Sequence, residues 1–166
     1  MEGKQSEYDF LNLSKNYTLK NNITREEEIQ FSDKVTKINS HGWKQERYII
    51  ITDKAIYNLK KLNLKRRIDF KTIMGITLSK ISDEFVIHCD DIDYDYHYIS
   101  PRKKIIVEIV AKNYQLVREE ELKLFEFSLK SLGTFVTSKK EKEKQKNTTK
   151  KRYKKKDHFS KCQSRI

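Results

Sequence analysis

Val35-Thr36-Lys37-Ile38-Asn39-Ser40-His41-Gly42-Trp43-Lys44-Gln45-Glu46-Arg47-Tyr48-Ile49-Ile50-Ile51-Thr52 reads as two antiparallel strands joined by a polar turn. Ile49-Ile50-Ile51 is too short for a helix and too β-branched to favour one. An unbroken apolar run of that kind is expected in a strand buried on both faces. Ser40-His41-Gly42 supplies the small or φ-tolerant residues that a tight connection needs. Lys37 and Arg47 place one base on each arm, close to the turn.

Working outward, Thr52-Asp53-Lys54-Ala55-Ile56-Tyr57-Asn58-Leu59 predicts a turn and a third strand, and Lys65-Arg66-Arg67-Ile68-Asp69-Phe70 a fourth. Ile73-Met74-Gly75-Ile76-Thr77-Leu78-Ser79 gives a fifth, and Glu84-Phe85-Val86-Ile87-His88 a sixth. The succession resembles the tail homology 1 (TH1) domain of class I unconventional myosins, a pleckstrin-homology (PH)-like module. The resemblance rests on Val35-Thr36-Lys37, Gly42, Ile51-Thr52-Asp53, Arg67-Ile68-Asp69, Gly75 to Ser79, Ser82-Asp83 and Val86-Ile87-His88, in the family's order. It covers Ile29 to about Phe127. No P-loop, motor domain or calmodulin-binding helix precedes it, so the expectation is a TH1 module without its motor. The fold class implied is mainly β with one C-terminal capping helix: a PH-like β-barrel of TH1 type plus a disordered basic tail.

The expected organisation has three parts. Residues 1–22 are an N-terminal extension that fits neither a helical nor an alternating template. Residues 23–137 form the TH1/PH-like domain. Residues 138–166 form a polybasic disordered tail, made of Lys, Glu, Gln, Asn and Thr with almost nothing to bury. The chain of 166 residues carries a net charge of +12. Residues 139–166 hold 13 Lys/Arg against three acids, so the charge is concentrated in the tail and residues 1–138 are close to neutral. Cys89 and Cys162 show no metal spacing, and no secretory or membrane-spanning apolar run is present, which predicts a cytoplasmic protein, peripheral to membrane or cytoskeleton.

Asp93-Tyr94-Asp95-Tyr96-His97-Tyr98 alternates with period 2, as a strand with one wet face does. Ser100-Pro101 predicts a helix start, with Ser as N-cap and Pro in the first turn. Ile105, Ile106, Ile109, Val110 and Tyr114 form its apolar stripe, which would close the barrel. Leu122-Lys123-Leu124-Phe125-Glu126-Phe127 predicts a late strand, which TH1-type domains carry and plain PH domains lack.

The resemblance implies a headgroup pocket between the first hairpin and the third-to-fourth connection. Lys34, Lys37, Lys44 and Arg47 lie on the first, and Lys60, Lys61, Lys65, Arg66 and Arg67 on the second. Lys37, Lys44, Arg47, Lys65 and Arg66 are the lipid headgroup candidates, because ammonium and guanidinium donors converge well on phosphate oxygens. The family motif is a lysine on the first strand, then basic-x-Arg entering the second. Lys37 matches, but the arginine falls on Tyr48, with Arg47 one residue earlier. Asp90, Asp91 and Asp93 would repel an anion from the third loop, and they lack the glycine and glutamate of a calcium loop. A solvated rim is the bland reading of the same lysines.

Lys150, Lys151, Arg152, Lys154, Lys155 and Lys156 form the polyanion-binding run. Each base near an anionic leaflet contributes about 1 kcal/mol, but counterion release does not distinguish membrane from RNA. His41, His88, His97 and His158 form no catalytic or metal set, and no nucleophile or phosphate-loop motif occurs. The expected function is therefore non-enzymatic and cofactor-free. It is association with phosphoinositide- or phosphatidylserine-containing membranes and with the actin–myosin cytoskeleton. The alternatives are a PH-like adaptor in a larger cytoskeletal assembly and, below it, RNA binding through the tail.

Overall fold

A computed structural model describes residues 7–16, 26–61, 63–90, 94–138 and 141–145. Nine strands form one curled, unclosed sheet: β1 (Tyr8–Asp9), β2 (Ile29–Ile38), β3 (Lys44–Thr52), β4 (Ala55–Lys60), β5 (Asn63–Asp69), β6 (Ile73–Ser79), β7 (Glu84–Cys89), β8 (Tyr96–Ile99) and β9 (Leu124–Phe127). Their spatial order is β5-β4-β3-β2-β8-β7-β6-β9, with β1 added in parallel beside β2. One long helix, α1 (Lys103–Arg118), packs into the curl.

Ile49, Ile50 and Ile51 are all fully buried, on alternating faces. Ile49 and Ile51 join the main core with Phe31, Val35, Ile56, Ile68, Phe85, Tyr96 and Val110. Ile50 points the other way, into a second cluster with Leu13, Ala55, Tyr57 and Leu59. The N-terminal segment closes that second cluster. Asp9 accepts from the Ser32 hydroxyl at 2.6 Å and from the Leu13 N–H at 3.0 Å, which seats Leu13 over β3 and β4. The polar sequence of residues 7–16 hides this role, since among the segment's described side chains Leu13 alone is fully buried.

The helix begins later than its sequence suggests. The Lys103 N–H bonds the Ser100 carbonyl and the Arg102 N–H bonds the Ser100 hydroxyl, each at 3.1 Å. Ser100 and Pro101 thus close a turn ahead of the helix, and Arg102 is the residue at its N-cap. The buried face is also rotated from the predicted stripe. Ile106, Val107, Val110, Asn113 and Tyr114 are buried, while Ile105 and Ile109 only flank the core. Asn113 sits inside because its Nδ2 donates to the Gln30 side chain at 2.7 Å and to the Thr52 carbonyl at 3.0 Å.

After α1 the chain adds β9 in parallel along β6, with Thr77 opposite Phe125 and Ser79 opposite Phe127. Gly75 permits this approach, because a Cβ there would meet the Lys123 carbonyl at 3.0 Å and the Phe125 ring at 3.3 Å. The chain then crosses the outer face of β6, β7 and β8. Leu132 is fully buried and its N–H donates to Glu84 at 2.8 Å, and the Thr137 N–H donates to Asp95 at 3.0 Å. A helical turn at 141–145 follows. Its Lys142, which the sequence assigns to the solvated tail, is buried: its ammonium donates to the Cys89 carbonyl at 2.5 Å and to Asp95 at 2.8 Å. The described structure thus includes residues 141–145. A lysine is worth burying where a carboxylate and two carbonyls await it.

Candidate functional site

The C-terminal ends of β2 and β4 and the start of β8 lie at one end of the curl, its mouth. The β2–β3 turn is built by Asn39, whose side-chain oxygen accepts from the His41 and Trp43 N–H groups at 2.9 Å each. Gly42 takes φ 80°, a left-handed conformation that suits glycine. This tight turn leaves Trp43 at its tip, 69% exposed.

Register decides which cations face inward. Residues directly opposite in an antiparallel pair share a face, and the face alternates along each strand. Val35, a core residue, stands opposite Arg47, and Lys37 opposite Gln45. Lys37 and Arg47 therefore lie on the concave side, continuing the core outward to the mouth. The one-residue offset from the family motif moves the arginine onto the face of Lys37, while Tyr48 lies on the outer face opposite Lys34. On β5, Arg66 stands opposite Asn58 and two residues from the core residue Ile68, so it too takes the concave side. Arg47 is held in place by the Gln45 side chain at 2.7 Å and the Glu46 carbonyl at 2.8 Å.

Other predicted cations go elsewhere. Arg67 lies on the outer face opposite Tyr57, bonded to Glu27 at 3.0 Å and to the Tyr57 hydroxyl at 3.1 Å. Lys34 pairs loosely with Glu46 at 3.9 Å. Lys44, Lys60, Lys61 and Lys65 are exposed at the rim. Asp91, Asp93 and the run Lys150–Lys156 lie outside the described residues. A shallow cleft of about 520 Å³ opens at the other end of β7, where two of the lining cations are engaged. There Arg102 binds Asp33 at 2.7 Å, and Lys103 binds the Ser79 and Ser82 carbonyls at 2.6 Å each.

Two features of the mouth have no signal in the sequence beyond their residue type. Lys37 lies along a ladder of tyrosines: its ammonium is 4.8 Å from the Tyr94 ring, 5.1 Å from the Tyr96 ring and 3.2 Å from the Tyr94 hydroxyl. Asp95, beside Tyr94, turns away from the mouth. Burial raises its carboxyl pKa, but hydrogen bonds from His88, Lys142 and the Thr137 backbone outweigh that and hold it below its usual value. One acid expected at the mouth strand is thus neutralised from behind. The arrangement offers converging donors for an anion. Among the described residues, no group of three or more His, Cys, Asp or Glu is placed to hold a metal.

Comparison with known proteins bears on the same region. The sequence model of a family described as the actin- and lipid-binding tail of unconventional myosins matches residues 6–166. Myosin heavy chain IB of Acanthamoeba castellanii is 32% identical over 126 residues, covering 68% of this chain and 11% of that one. Myosin IA heavy chain of Dictyostelium discoideum is 30% identical over 134 residues, covering 72% of this chain and 13% of that one. Among solved structures, the hSac2 domain of the human phosphoinositide phosphatase Sac2 superposes with a TM-score of 0.53 at 9% identity, over 76% of this chain and 94% of that one. A pleckstrin homology domain in solution gives a TM-score of 0.44 at 16% identity, over 59% of this chain and 95% of that one. At 9% identity the hSac2 likeness speaks for fold alone.

Proposed function

The chain belongs to the TH1 family of unconventional-myosin tails, and from that premise we propose that it is a non-catalytic module that docks on anionic membrane through the mouth of its curled sheet. The observation that carries this is the register, which sets Lys37, Arg47 and Arg66 on one concave face beneath an exposed Trp43. Lys44 and Lys65 at the rim add charge facing the same leaflet. Tryptophan favours the membrane interface, so Trp43 beside these cations is the natural first point of contact. The polybasic run Lys150–Lys156 adds a second, less selective attraction. The partners in this reading are anionic lipids and, in keeping with the family's description, the actin cytoskeleton at the cytoplasmic face of a membrane.

Because Trp43 is the only tryptophan of the chain, its fluorescence reports mouth contact directly. Mixing the protein with phosphoinositide-containing vesicles should shift its emission to the blue, and Lys37→Ala with Arg47→Ala should reduce the shift. Vesicle binding without any change in Trp43 emission would move the contact away from the mouth. The adaptor reading draws on a different observation. Edge strand β9 exposes Leu124, Phe125 and Phe127, a strip on which a protein segment could add as a further strand.

A further inference from the structure

We infer that the cleft at the start of β7 is a docking site for an acidic, extended protein segment that carries a bulky apolar residue. The inference is independent of the mouth reading. The cleft lies between the β6–β7 loop, Lys80 to Asp83, and the start of α1, Pro101 to Ile105. The backbone joins its two sides, because the Ser100 N–H donates to the Asp83 carbonyl at 3.1 Å. Glu84 stands opposite Ile99, so the cleft sits at the end of β8 and the mouth at its start. The six residues of β7, roughly 17 Å of strand, separate the two.

Charge names the occupant. Arg102 is spoken for, bonded to Asp33 at 2.7 Å and lying 3.8 Å from the Phe10 ring centre. Lys103 is fixed but not neutralised: the Ser79 and Ser82 carbonyls take two of its three N–H donors at 2.6 Å each and bring no charge. Lys104 is exposed and forms no ion pair among the described residues. Lys80 reaches Glu126 only at 4.0 Å, with both side chains more than half exposed, a weak pairing. Three ammonium groups thus line the cleft against one carboxylate, Asp83. Their placement works against the helix. A first turn favours acids, and this one has none while Arg102, Lys103 and Lys104 succeed one another. Such a local conflict is expected where binding, not folding, sets the residue. Beside the cations, Ile81 is 56% exposed and Ile105 half-buried. Carboxylates spaced along an extended chain can enter the cleft to an ammonium drawn back against Ser79, where a flat leaflet cannot follow. An apolar side chain between those carboxylates would cover Ile81. A volume of about 520 Å³ is in the range of ligand clefts.

The test follows the isoleucine methyl signals of the full chain by NMR while a short peptide of glutamates around a single leucine is added. Ile81 and Ile105 should shift, and Ile38, at the mouth, should not. Lys104→Glu should weaken the peptide about tenfold, as expected for loss of a bond to a charged group. The same change should raise the melting temperature, since it places an acid in the first turn of α1. Ile81→Ser should leave the melting temperature unchanged and erase the preference for the leucine peptide over an all-glutamate one. Lys37→Ala with Arg47→Ala should leave the peptide shifts as they are, which keeps this result apart from that of the mouth. If the peptide leaves Ile81 and Ile105 unmoved and its binding is lost only on neutralising Lys150, Lys151, Arg152, Lys154, Lys155 and Lys156, the polybasic run holds it and the proposal falls. Phosphatidylserine vesicles that perturb Ile81 in place of the peptide would make the cleft a leaflet contact and overturn it as well.

Discussion

Burial alone would raise the Asp95 carboxyl pKa, yet its carboxylate gathers the His88 ring at 2.9 Å, the Lys142 ammonium at 2.8 Å and the Thr137 N–H at 3.0 Å. These donors favour the ionised form and set its pKa below the usual 3.8. A depressed carboxyl pKa stabilises the fold fully above its unfolded value, and that stability is lost as pH falls through the folded value. Asp95→Ala strands a buried ammonium and should cost about 3 kcal/mol at pH 7, the range for breaking a buried pair. Asp95→Asn should likewise lose stability at pH 6, and its gap from wild type in urea melts should shrink once pH drops below about 3.8. A gap that stays constant to pH 3 would place the contribution of Asp95 outside its charge. Sequence reading could not find this hub. Asp95 appears there as one more wet position in an alternating strand, and Lys142 as one of many tail lysines, because their meeting depends on a crossing made 47 residues later.

Strands were the most legible elements, and the reason is local. Ile49-Ile50-Ile51 has no other use than a strand buried on two faces, and Gly42 marks a turn that needs positive φ. The helix was legible in existence but less so in orientation. Ile105, Ile106, Ile109 and Val110 suggest a face centred between the two pairs, whereas hydrogen bonds of Asn113 to Gln30 and Thr52 pull in a polar residue and rotate the buried side toward Ile106, Val110 and Tyr114. Periodicity of apolar residues is blind to a buried amide that finds partners on β2 and at the end of β3. The two readings predict different mutants. Val110→Asp would put a carboxylate at a fully buried position and should unfold a domain of ordinary marginal stability, about 5–15 kcal/mol. Ile109→Asp, at the flank, should remain folded with a lowered melting temperature. Circular dichroism melts of the pair decide it, and equal loss in both would return the helix face to the sequence-predicted stripe.

Across the whole molecule, the charge asymmetry seen in the sequence acquires a geometry. Lys142 bonds the Cys89 and Asp90 carbonyls at the end of β7, on the side where Tyr94 meets Lys37. Lys150 is eight residues further, so it can lie no more than about 28 Å from that anchor at roughly 3.5 Å per residue. A run tethered within that reach and the mouth would, where both touch one surface, reinforce each other through effective concentration. They should divide the work by selectivity. Six bases at about 1 kcal/mol each suffice for adsorption to phosphatidylserine vesicles, and that adsorption should fall steeply between 50 and 200 mM salt. Neutralising Lys150, Lys151, Arg152, Lys154, Lys155 and Lys156 should abolish it. Lys37→Ala with Arg47→Ala should instead leave phosphatidylserine binding nearly intact and remove the extra affinity for phosphoinositide vesicles. Vesicle sedimentation across the salt range separates these terms. Phosphatidylserine binding that survives loss of the run but not of Lys37 and Arg47 would make the mouth the general anchor, and binding by neither would leave the exposed strip on β9 as the surface to test against protein partners.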